Sequence, residues 1–341
     1  MDVRPSENDP SPLRPGDILL FHGHGPVSWA IRRFEESDVD RAAIVLGPET
    51  MVEVTPSGLR YVAIAPAVEG NVFTYVRRPA HDVDVSPIVR EALSSASVGD
   101  TPVHDRVVLL AVLGLTRRLP IGEPTLRRLL GVLLHSAADV VDRLAANGRT
   151  LLVDAEFVHR CYQRSGDPEA ALKIPFPAVP RPDSSAMSSG PMAGDEAMLW
   201  EWAAGRGEPW RSVADSPEQS ESLERLIVSF ARVDSPLDPF LLRSESADPA
   251  SVDTVDTVDT SEEISDDDLH AAAVRFRDRF ISLALSPDAP TERAMAHPWA
   301  TFRAVANFVT PGDLRYTPSL HTVMSLRPSS ARQGTASNSA D

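Results

Sequence analysis

The chain has 341 residues, 42% of them apolar, and a formal net charge of −16. Its length and apolar content suffice for a packed core, and its acidity argues against the basic face that nucleic acid requires. The acidity is local: residues 181–268 carry 21 acidic and 6 basic side chains, so the remainder is close to neutral.

Residues 1–14 are polar and proline-rich and read as a flexible lead-in with no signal-peptide h-region. After the turn Pro15-Gly16, Asp17 to Phe21 is a short buried strand. Pro26 opens a helix over 27–36. Short strand runs at 42–46, 51–54 and 59–63, separated by Gly47-Pro48 and Pro56-Ser57-Gly58, predict an antiparallel meander, with 72–76 as a further strand. The period then changes. Ser86-Pro87 is a helix start, and helices are expected at 87–98, 105–117 and 125–146, the last stopping at Asn147-Gly148. Asp154 begins another helix that ends near Gly166. Residues 181–264 read as an acidic linker region with short helices at 195–204 and 217–232, including three tandem Val-Asp-Thr triplets over 252–260. A helical segment is expected over 265–327, loosely attached, and a disordered tail over 328–341.

The single cysteine, Cys161, excludes an intrachain disulfide and points to a reducing compartment. The longest apolar run, Val107 to Leu115, is about half of the ~20 residues that a membrane span needs. A cytoplasmic protein without a membrane span is expected.

Several motifs occur in a fixed order: Pro-Gly-Asp-Ile-Leu-Leu-Phe at 15–21, Ser28 with Ala30-Ile31, Ser37-Asp38, Ala-Ala-Ile-Val at 42–45, Val52-Glu53, Gly58-Leu59, and Glu156-Phe157-Val158 with Tyr162 and Gly166. The series resembles the circularly permuted, papain-like branch of the NlpC-type hydrolases, the YaeF/YiiX-like amidases, which are relatives of lecithin:retinol acyltransferase. The resemblance covers roughly 13–180. It implies an α+β fold with a small antiparallel sheet, a domain over 15–180, and a helical insertion at about 86–148.

In that family a strand histidine is the base, a polar residue on the next strand orients it, and a cysteine at a helix start is the nucleophile. An imidazole and a helix N-terminus together favour the thiolate. By the resemblance these roles fall on Arg41, Glu53 and Asp154, and only Glu53 matches. A guanidinium cannot act as a base at ordinary pH. An aspartate is a far weaker acyl-transfer nucleophile than a thiolate. The resemblance therefore implies a degenerate site in which Arg41 meets Asp154, with Glu53 beside them. His22, Ser28, Arg41, Glu53 and Asp154 are the candidates for binding a peptide, an acyl-lipid or a protein in the former cleft.

Plainer readings stand beside these. Asp154 suits a helix N-cap. Cys161, mid-helix, suits a small core residue, though as the only thiol it is also the alternative nucleophile of a working amidase or acyltransferase. His22 and His24 lack the further ligands that a metal site needs, and no metal or cofactor is expected. The apolar stripes of 105–117 and 125–146 suit packing onto the papain-like core, or else a lid or an acyl-chain groove.

Overall fold

The computed structural model describes residues 13–97, 104–119, 124–168, 170–174, 197–199, 203–204, 264–285 and 296–328. The Val-Asp-Thr triplets, the helix expected at 217–232, the lead-in up to residue 12 and the tail after 328 lie outside the described residues.

The fold is α+β, as expected. Strands β1 (Ile18–His22), β2 (Arg41–Gly47), β3 (Thr50–Thr55), β4 (Gly58–Ala63), β5 (Phe73–Pro79) and β8 (Leu320–Leu326) form one antiparallel sheet in the order β4-β3-β2-β1-β5-β8. The expected meander is β2-β3-β4. Helices α1 (Gly25–Glu35) and α2 (Ile64–Glu69) fill the connections, and α3 (Ser86–Ser97) follows β5. Helices α4 (Arg106–Thr116) and α5 (Pro124–Ala146) come next, then α6 (Asp154–Gln163). Two-residue strands β6 (Arg118–Leu119) and β7 (Ala197–Met198) pair with each other. Helices α7 (Asp266–Ala284), α8 (Pro298–Val305) and α9 (Pro311–Tyr316) precede β8.

Strand alternation gives the sheet two apolar faces. Ile18, Leu20, Ala42, Ile44, Val52 and Val54 pack against α6 and α3 through Val158, Cys161, Tyr162 and Ile88. Leu19, Phe21, Ala43, Val45 and Met51 form the opposite face with Ile64 and Val76. Tyr162 is fully buried, and its hydroxyl donates to the carbonyl of Gly16, tying α6 to the entry of β1.

The stripes of α4 and α5 lie off the sheet itself. They make a separate helical core with Ile31 and Phe34 of α1, Leu269 and Phe276 of α7, and Phe302 of α8. The apolar stripe of an amphipathic helix needs a partner face, and here the partners come from α1 and from beyond residue 264. The segment 265–327 is not a loosely attached run of helices. It ends in β8, which extends the sheet. Arg77 fixes that junction by donating to the carbonyls of Thr317 and Leu320 and to Thr322 Oγ1 (2.9, 2.6 and 3.0 Å). Upstream, Thr310 and Asp313 form a capping box that starts α9. Glu35 of α1 accepts from Gly312 N at 2.9 Å, and Glu156 of α6 accepts from Val309 N at 2.9 Å.

Candidate functional site

The edge of the sheet where β1 ends and β2 begins gathers most of the candidate residues. Arg41 is the first residue of β2. Strand alternation puts it with Ala43 and Val45, on the face of Phe21. Its Nη2 donates to Asn71 Oδ1 at 2.8 Å, and its guanidinium lies 5.2 Å from the centroid of the Phe21 ring. The register that sets Ile44 opposite Val52 places Glu53 level with Ala43, on the same face as Arg41 and two residues further along the strand. Across β4, Glu53 pairs with Arg60.

Asp154 approaches from the other side of the strand. It is 2% exposed. Its Oδ2 accepts from Ala42 N of β2 at 2.8 Å, and its Oδ1 accepts from Ala155 N at 2.7 Å. It is the first helical residue of α6, and Val153 is the N-cap, so the capping role expected for Asp154 is corrected. The carboxylate instead clamps the start of α6 to β2. Burial pushes its pKa up to about 6, against the two N–H bonds and the positive fields of Arg41 and Arg106. The structure thus brings Arg41 and Asp154 to the same end of the sheet, where the charge of one acts on the other.

A cluster that sequence reading missed lies beside them. Asp40 is fully buried and accepts from Gly23 N at 2.6 Å, from Arg32 Nη1 at 3.3 Å and from Arg106 Nη2. Arg106 Nη2 also donates to Ser28 Oγ at 2.7 Å, and Arg32 Nη1 donates to the Gly23 carbonyl at 2.7 Å. Burial alone would raise the Asp40 pKa. Arg106, Arg41, the Gly23 N–H and Arg32 outweigh it, and the carboxyl sits below its usual range. Gly23 is required by this packing: a Cβ there would fall 2.6 Å from Ser28 Oγ and 3.0 Å from Asp40 Oδ2. The only sequence signal for Asp40 was an acid directly before the Arg41 strand. Arg32 and Arg106 lie on separate helices and carried none.

The other candidates have structural surroundings. Ser28 is buried, and its hydrogen-bond partner Arg106 is a cation that cannot take its proton. His22 Nδ1 lies 2.7 Å from the carbonyl of Asp38, and its ring is 4.5 Å from that of Phe73. Burial, then Arg32, lowers its pKa. His24 is the N-cap of α1 and makes no side-chain cap bond. Asp38 accepts from Tyr75 Oη at 2.8 Å and from Arg315 Nε at 3.1 Å, which joins this edge to α9. Cys161 is 1% exposed within the sheet-facing core, and burial pushes its thiol up to about 12. A thiol held protonated in a core is unreactive. Among the described residues no group of three or more His, Cys, Asp or Glu could hold a metal ion, and no helix is long and apolar enough to cross a membrane.

No protein-family model matches the chain. The chain is 35% identical over 66 residues to the probable lipoprotein peptidase YaeF of Escherichia coli (strain K12). That stretch is 19% of this chain and 24% of the relative, so the match spans about a quarter of the relative's length. The partial likeness agrees in direction with the resemblance read from the motifs.

Proposed function

We propose that the chain is a catalytically inactive relative of the permuted papain-like amidases and acts as a binding or regulatory module, for a peptide, an acyl-lipid or another protein. One observation carries this reading: the position read as the nucleophile holds a carboxylate whose two oxygens accept from Ala42 N and Ala155 N, at 2% exposure. A group so engaged serves to fix a helix on a strand. Arg41, at the position read as the base, stays protonated, and the chain's only thiol is sealed in the core. That lone cysteine also suits a reducing, cytoplasmic setting.

A second reading is a working amidase or acyltransferase with a non-standard site. The Asp154 pKa of about 6 supports it, because a carboxyl that titrates near neutrality suits general acid–base work. The two readings separate on turnover. Purified protein is assayed on acyl esters, thioesters and short peptides, with Asp154→Asn and Cys161→Ala alongside. The inactive reading expects no hydrolysis above buffer in any of the three. Hydrolysis by the wild type that either substitution abolishes would establish the second reading and name its essential residue.

A further inference from the structure

A cavity of about 210 Å³ lies between the helical layer and the turn that joins β3 to β4. Its volume equals that of about seven waters, well below a drug-sized pocket. Val140 and Leu144 of α5 supply apolar wall, and Arg143 and Arg149, both exposed, stand at its margin. Among the described residues no hydrogen bond from either guanidinium is formed, and Arg143 acts on Asp105 through its field. His104 and Asp105, at the start of the 11-residue helix α4, complete the lining used here. Asp105 is committed to the helix cap, where its Oδ1 accepts from Val107 N and Val108 N. His104 is not committed. Its ring is 3% exposed, and neither ring nitrogen has a hydrogen-bond partner. A buried polar group without a partner is uncommon and marks a place where something else can complete the bonding.

We infer that this cavity binds a small organic anion with a short apolar tail, of the class of a medium-chain carboxylate. The charged end sits between Arg143 and Arg149, which offer hydrogen-bonding cations. The tail lies against Val140 and Leu144. The volume admits a chain of hexanoate size. The inference goes beyond the reading above, since it names a ligand class and stands whether or not the Asp154 site turns over substrate.

The test is calorimetric titration of the full chain with hexanoate and, separately, with inorganic phosphate. Saturable one-to-one binding of hexanoate is expected, with phosphate binding at least about tenfold more weakly because it has no tail to bury. Arg143→Gln and Arg149→Gln should each weaken hexanoate binding about tenfold. Both arginines are exposed, so these variants keep the fold. Absence of saturable binding at millimolar hexanoate, equal affinity for phosphate, or unchanged affinity in both arginine variants would each overturn the inference. None of those outcomes bears on catalytic inactivity, which the turnover assay decides.

Discussion

Asp40 and Asp154 are buried at the same end of the sheet, at 0% and 2% exposure, yet their pKa values move in opposite directions. Asp40 is bonded by two arginines and a backbone N–H. Asp154 is bonded by two backbone N–H groups, with arginine acting on it through its field. The same desolvation acts on both. Direct guanidinium partners overcome it, and N–H dipoles with arginines acting only through their fields do not. A carboxylate that is fully compensated belongs to the frame. One left near neutrality, at the position read as the nucleophile, is the group on which the proposed function is most directly tested.

The most severe way to break the comparison is Asp40→Asn. It leaves Arg32 and Arg106 largely buried without their anion, and removing one partner of such a set costs about 3–5 kcal/mol. Urea denaturation should register that loss. A change below about 1 kcal/mol would show that the arginines rehydrate freely. The second test is pH. The folded Asp154 pKa of about 6 lies above the ordinary 3.8, so the native state binds the extra proton. Stability should therefore rise as pH falls from above 7 to below the ordinary carboxylate value, by roughly 3 kcal/mol in all and about 2 kcal/mol of it between pH 6 and 4. Asp154→Asn should abolish that rise. Asp40 has the opposite sign: its contribution is present above the ordinary carboxylate range and is lost as pH falls through its lowered value. The smallest expected effect comes from Gly23→Ala, where the added methyl crowds Ser28 Oγ and the Asp40 carboxylate. Overpacking of this kind costs about 1–3 kcal/mol. It should be smaller still in the Asp40→Asn background, because one of the crowded groups has already lost its bonding.

Much of the sheet was legible because its strands are short apolar runs cut by Gly-Pro and Pro-Ser-Gly turns. The helix start at Ser265 was legible from its cap, and Ser265 Oγ does accept from Asp268 N; Ser86-Pro87 marked the start of α3, but Ser86 is its first residue and not its N-cap. Strand β8 was not legible. It is an edge strand with His321 and Thr322 exposed, so its pattern lacks the clean alternation of an inner strand. Helix α9 carried a readable signal that went unused: Thr310 followed by proline, with an acid at the third helical position, is a capping box. Motif order singled out Arg41, Glu53 and Asp154 but not their arrangement, in which Arg41 and Glu53 share one face of the sheet and Asp154 bonds to β2 from the other. The Asp40 cluster was not legible, because it joins residues 66 positions apart in sequence that share no periodicity. Nor was the partner of α4 and α5, since an apolar stripe shows that a helix is covered without showing by what.

The central claim is that Asp154 occupies the nucleophile position as a structural clamp. It is tested most directly by intact-mass analysis and peptide mapping of the protein after incubation with an excess of an activated hexanoyl thioester. The account predicts no acyl adduct on Asp154 or Cys161. An adduct mapped to either residue, formed by the folded protein and discharged by water, would contradict it.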